Sequence, residues 1–152
     1  RRLSEWRGRT LALTFIYTRC PLPDFCPLMD RHFADVQQLV MDDATLRGQV
    51  QLLSISFDPS YDTPAVLATH MKKVGADPSI WSFLTGDEAE VESLAGALGV
   101  SVMREGSDPA SVVHNLRTAV IDGRGRLVKT INGIRWDAPE LVRDLRSAVG
   151  RR

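Results

Sequence analysis

Cysteine is scarce in this chain: its 152 residues hold two, Cys20 and Cys26, alongside three histidines. Long hydrophobic runs are missing. None approaches the ~20 residues that a membrane-spanning helix requires, and no signal peptide is present. Neither charge predominates, with 19 basic against 19 acidic residues, and no Lys/Arg run or basic helix face stands out. That balance excludes the usual electrostatic footprint of a nucleic-acid partner, and the Arg pairs at the two ends read as frayed termini. Internal repeats and low-complexity stretches are absent, so residues 1–152 are read as one domain. The chain opens at "RRLSEWRG" without a methionine and is read as a trimmed soluble domain, so missing targeting information says little about the native location. A chain of this length buries roughly 70% of its unfolded surface and needs no disulfide to make a core. Two thiols at short spacing are therefore chemical rather than architectural.

What is present is an alternation of strand and helix signals. "TLALTFIYT" (10–18) is β-branched, aromatic and nearly unbroken in apolarity, which predicts a strand buried on both faces. From Pro27, Leu28, Met29, Phe33, Val36, Leu39 and Val40 recur at helical spacing. "QVQLLSISF" (49–57) predicts a second buried strand, and a helix follows from Pro64 to Val74 with Thr63 as its N-cap. "WSFLTG" predicts a short strand, "DEAEVESLAGALG" a helix stopped by Gly99, and "VSVMRE" another short strand. "LRTAVIDGRGRLVKTING" has two strand runs about Asp122-Gly123, a hairpin signal. "DAPELVRDLRSAV" closes as an amphipathic helix. Strands separated by helices build a parallel sheet, and a terminal hairpin adds antiparallel strands at one side. The expected fold is α/β and thioredoxin-like, with a mostly parallel central sheet, a C-terminal β-hairpin and flanking helices. Sites in such sheets form at the carboxyl ends of the strands, where Cys20, Asp58 and the loop carrying His114 converge.

The cysteines sit where a strand turns into a helix. With Pro27 opening that helix, Cys26 is expected at its N-cap, where free backbone N–H groups and the helix dipole favour thiolate over thiol. Arg19 adds positive charge beside Cys20. Such a pair serves either disulfide exchange or a soft metal, the bland alternative being an inert disulfide. His32 is placed near a polar helix flank, and His70 in register with Val66, Leu67, Met71 and Val74 as a packed residue. His114, in "SVVHNLR", precedes a core strand and lies level with the cysteine loop. Two thiolates and one imidazole suit Cu(I), whereas Zn2+ wants a fourth ligand. Met29 and Met103 offer thioethers, though Met29 fits the core better.

Four blocks, "ALTFIYTRCPLPDFCPLM", "SISFDPSYDTPAVL", "WSFLTG" and "VVHNLRTAVIDGRGRLV", resemble those of the Sco/SenC family in the same order, over nearly the whole chain. The resemblance implies a membrane-anchored thioredoxin-like domain at the periplasmic face of the bacterial inner membrane. Its function would be to bind copper, as Cu(I) or Cu(II), and deliver it to the cytochrome c oxidase subunit carrying the binuclear copper site. Other periplasmic copper or thiol proteins are further expected partners. Carried over by position, the family's metal ligands fall on Cys20, Cys26 and His114. Its acidic loop falls on Asp58 and Asp62, expected to dock a partner or to shape the site, with plain helix capping by Asp62 and Thr63 as the alternative. One departure stands out: the family spacing leaves three residues between the cysteines, and here five intervene. A loop with Pro21 and Pro23 can still fold back to bring the sulfurs together, but the copper geometry does not carry over unchanged.

The main rival is a periplasmic thiol-disulfide oxidoreductase using Cys20 and Cys26 as attacking and resolving thiols. The usual C-x-x-C spacing is shorter than this loop, which argues mildly against general exchange. A peroxiredoxin fits less well, since Leu22 and Phe25 occupy the places of its characteristic Pro and Thr. A docking module whose cysteines merely brace a loop is a third class.

Overall fold

The seven residues of β1 (Thr10–Ile16) are all buried, as an unbroken apolar run demands of a strand covered on both faces. β1 pairs in parallel with β2 (Val50–Ser56), and β2 in parallel with β3 (Trp81–Leu84). On the other side of β1 lies β6 (Arg117–Ile121), antiparallel, with β7 (Leu127–Asn132) outside it, so the sheet order is β3-β2-β1-β6-β7. Among the described residues four α-helices accompany it: α1 (Cys26–Asp42), α2 (Pro64–Val74), α3 (Glu88–Ala97) and α4 (Ala138–Val149). This is the expected thioredoxin-like α/β arrangement. The computed structural model describes residues 2–104 and 112–150. Among them, no helix is long and apolar enough to cross a membrane.

The helices form where the sequence punctuates them. Thr63 caps α2, its side chain accepting from the Val66 N–H at 3.4 Å, and α2 ends at Gly75 in the left-handed region. Gly99, the expected stop of α3, has φ +74°. A Cβ there would meet the Arg117 guanidinium at 1.9 Å, a guanidinium that donates to the Leu98 carbonyl at 3.1 Å. The β6–β7 turn is held by Asp122, whose carboxylate accepts from the backbone N–H groups of Arg124 and Arg126, both at 3.0 Å. On α1 the buried face includes Met29, Phe33, Val36 and Val40 at helical spacing, together with Gln37. Gln37 donates to the Gly75 carbonyl at 3.0 Å and accepts from the Asp77 N–H at 2.7 Å, fixing α1 to the α2–β3 connection. Met29 is a core residue, as expected.

Two local assignments change. Cys26 is the first residue of α1, not its cap; Phe25 holds the cap position and gives no side-chain hydrogen bond. His114 is not in a loop. It ends β5 (Val112–His114), which pairs antiparallel with β4 (Val102–Arg104) in a separate two-stranded sheet, His114 opposite Val102. Glu105, at the end of the strand expected there, lies outside the described residues.

Candidate metal centre

The cysteine loop starts from a braced strand end. Past Ile16, the Thr18 N–H donates to Asp62 Oδ2 at 3.0 Å and the Thr18 hydroxyl to Asp62 Oδ1, while the Ser56 hydroxyl donates to Asp62 Oδ2 at 2.5 Å. Arg19 Nε donates to Asp58 Oδ2 at 2.7 Å, and its guanidinium lies 4.4 Å from the centre of the Tyr61 ring. Both carboxylates are 0% exposed. With no surface to offer a docking partner, they tie the residues just before Cys20 to the loop after β2, and Thr63 rather than Asp62 caps α2. Arg19, expected to place positive charge beside Cys20, is paired with Asp58.

Beyond that brace the chain folds back as the prolines allow. Cys20 is half-buried and Cys26 buried, both as free thiols, and each strongly shifts the acidity of the other. They differ sharply as acids. Cys20 Sγ lies 3.8 Å from the Leu22 carbonyl, and the neighbouring Cys26 side chain, with smaller help from the backbone at Cys26 and Leu22 and from the Tyr17 hydroxyl, holds the Cys20 thiol down at about 5 against the opposing effect of burial. Cys26 is pushed far up, by the Cys20 side chain and by burial. The amide at the start of α1 thus serves the other sulfur: it stabilises Cys20 as thiolate, while Cys26, on the buried face of the first turn, keeps its proton. A helix start can act on a neighbour's thiolate as well as on its own residue. Tyr17 is raised by burial and by its bond to Cys20; it carries no motif signal beyond lying three positions before a cysteine.

His114 stands next to this pair without closing on it. Its ring lies 4.5 Å from the centre of Phe57 and 6.1 Å from that of Tyr17, both edge-on, and it is close enough for the Cys20 charge to favour its protonated form. Burial outweighs that charge and lowers its pKa, so the imidazole is neutral, the form that binds metals. The contact of Nδ1 with the Asn115 carbonyl at 3.1 Å requires Nδ1 to be the donor, because a carbonyl only accepts; Nε2 keeps its lone pair. Among the described residues, no three His, Cys, Asp or Glu side chains are close enough together to enclose a metal ion.

The other candidates are spoken for. His70 Nε2 pairs with Asp30 Oδ2 at 2.8 Å, and its ring meets Phe83 edge-on at 5.3 Å, so it is packed as expected. His32 is half-buried rather than on a polar flank, its ring 4.7 Å from that of Trp136. Met103 is 59% exposed. Because residues 103 and 113 form the pair next to 102 and 114, Met103 projects from the opposite face of the hairpin to His114.

The unequal thiols set an expected result. Iodoacetamide should alkylate one thiol per native reduced chain, with a rate that climbs through a midpoint near pH 5 and is flat by pH 7, since a lowered pKa means the reactive thiolate is already present above it. Unfolding should expose the second thiol. A midpoint near the ordinary ~8.5 of a free cysteine would refute the assignment.

Comparison with known proteins agrees with this architecture. The chain is 26% identical over 149 residues to the SCO1 protein homolog of Bacillus subtilis, covering 96% of this chain and 74% of that protein. The crystal structure of a SCO1/SenC family lipoprotein from Bacillus anthracis superposes with a TM-score of 0.82 at 24% identity, over 95% of this chain and 83% of that one. The copper-bound ScoI of Bradyrhizobium japonicum gives a TM-score of 0.76 at 27% identity, over 95% and 87%. The SCO1/SenC family model matches residues 2–150, a span that takes in the cysteine loop, the braced strand end and the hairpin bearing His114, and the chain therefore belongs to the SCO1/SenC family.

Proposed function

We propose that this chain is a copper carrier that takes Cu(I) between Cys20, Cys26 and His114. It would deliver the ion to the cytochrome c oxidase subunit with the binuclear copper site, at the periplasmic face of the bacterial inner membrane. The observation that carries it is the donor set: two free cysteines that set each other's acidity beside a neutral imidazole whose Nδ1 is engaged by a carbonyl. Soft thiolates and an imidazole of low coordination number fit Cu(I). An orienting bond on the second ring nitrogen is the usual mark of a metal-binding histidine. Three protein donors leave Zn2+ short of its preferred four. Copper is cargo here, and handing it over requires direct contact with the acceptor. The exposed Leu22 and Phe25 of the loop between the cysteines are apolar surface of the kind such contacts use. The copper-bound relative and the lipoprotein neighbour support the cargo and the membrane association. In this arrangement Asp58 and Asp62 shape the site by holding Thr18 and Arg19.

A second reading has its own support. A half-buried thiolate beside a fully buried thiol is the disposition of an attacking and a resolving cysteine, so a thiol-disulfide oxidoreductase would use the same pair. His114→Ala separates the two. For a copper carrier, this change should leave the fold intact and weaken Cu(I) binding at least ~10-fold, or ~1.4 kcal/mol, in an anaerobic titration against a competing chelator. A pure oxidoreductase would show an altered thiol exchange rate and unchanged copper affinity.

A further inference from the structure

From the cleft between α1 and α2, we infer a seat for an extended, acidic segment of a partner protein, laid along α2 with one end over Cys20. Two depressions meet there. One, of about 430 Å3, is lined by Cys20, Pro27, Arg31 and Ala34 on the side of α1 and by His70 and Lys73 on α2. The other, of about 410 Å3, continues over Ala65, Val66 and Thr69. They share Thr18, His70 and Lys73, so together they make one track rather than a closed pocket for a compact molecule. The 11 residues of α2 rise about 16 Å, the length of about five residues of extended chain.

The charges choose the occupant. Beneath the track Asp30 and His70 are bound to each other at 2.8 Å through Asp30 Oδ2, with side chains 9% and 14% exposed, while Asp30 Oδ1 is buried without a hydrogen-bond partner, so this carboxylate stays below the surface. At the mouth stand Arg31 and Lys73, exposed and on facing helices, with no ion-pair partner among the described residues; Lys72 is beside them at the end of α2. Two unpaired cations across a trough that Pro27, Ala34 and Val66 line together with Thr18 and Thr69 complement a segment with carboxylates on either side of its metal- or thiol-bearing residue. Cys20, the half-buried sulfur, lines the same track and is the thiol such a residue would meet.

The inference deepens the copper-carrier proposal by naming the chemistry of the partner, and the test keeps the two apart. The probes are two fluorescein-labelled eight-residue peptides with a central serine, which cannot exchange with Cys20, one flanked by glutamates and the other by lysines. Fluorescence anisotropy on the reduced full chain should show the glutamate peptide binding at least ~10-fold more tightly. The double variant Arg31→Glu, Lys73→Glu should abolish or reverse that preference with Cu(I) affinity unchanged. On adding the glutamate peptide, backbone amide signals of Val66, Thr69 and His70 should shift. Equal affinities, or a preference indifferent to the charge reversal, would overturn the inference, as would shifts confined to the β4–β5 hairpin. A normal peptide preference in a chain that fails to bind Cu(I) would overturn the copper-carrier proposal and leave the seat supported.

Discussion

Cys20→Ser is expected to weaken Cu(I) binding at least ~100-fold, about 2.8 kcal/mol at 1.4 kcal/mol per decade, while leaving the fold in place. A hydroxyl is a poor, hard substitute for a thiolate toward a soft ion. Cys20 is also the member of the pair already ionised at neutral pH, so the loss removes charge as well as a donor. The residue is half-buried at the edge of the core, and serine can keep its backbone contact, Cys20 N–H to the Tyr17 carbonyl at 3.3 Å. The companion variant Cys26→Ala takes away the thiol that does most to stabilise the Cys20 thiolate. Its remaining thiol should therefore titrate above the native midpoint near pH 5, because the thiolate has lost a hydrogen bond while the thiol has not. Chelator competition and alkylation on the two variants check both statements. Native Cu(I) affinity in Cys20→Ser would remove this residue from the ligand set.

Asp62→Ala should cost about 3 kcal/mol of stability, the largest effect expected for any site-shaping residue that is not itself a ligand. The carboxylate is 0% exposed and takes three hydrogen bonds, from the Thr18 N–H, the Thr18 hydroxyl and the Ser56 hydroxyl. Removing it strands those donors in the interior, at about 1–3 kcal/mol for each one that neither water nor repacking satisfies. Urea unfolding should show a lowered midpoint with an unchanged slope. The strand end that launches the cysteine loop would also be released, so Cu(I) affinity should fall together with stability. Asp62→Asn, which keeps acceptor oxygen at the position, should lose less of both. Native stability in the alanine variant would mean that the brace is dispensable.

The elements of the sheet were legible because each is a local pattern. Apolar continuity marked β1 and β2, a 3.6-residue period marked α1, α2 and α4, and Asp122-Gly123 marked the β6–β7 turn; strand–helix alternation then gave the parallel half of the sheet. β5 was not legible, since three residues carry no period and their partners in β4 lie about ten positions away along the chain. The same blindness to distance explains Arg19. Next to Cys20 in sequence, it reads as that sulfur's neighbour, yet its partner, Asp58, comes from the loop after β2.

The sequence by itself determined which groups the site has to work with: a cysteine pair in a proline-stiffened loop at the end of a buried strand, one histidine level with it, and an acidic loop after the next strand. Residue type and spacing along the chain are enough for that, because both are local. Only the tertiary structure decided how those groups differ. It made Cys20 the thiolate and Cys26 the protonated thiol, turned Asp58 and Asp62 inward as braces, kept His114 neutral against Phe57 and Tyr17, and opened a cationic track beside Cys20. The physical reason is common to all of these. Acidity and accessibility depend on burial and on donors contributed by other elements, and two cysteines that look alike in a line of text become unequal once one has an amide, a phenol and its partner's thiol pointing at it and the other has the core.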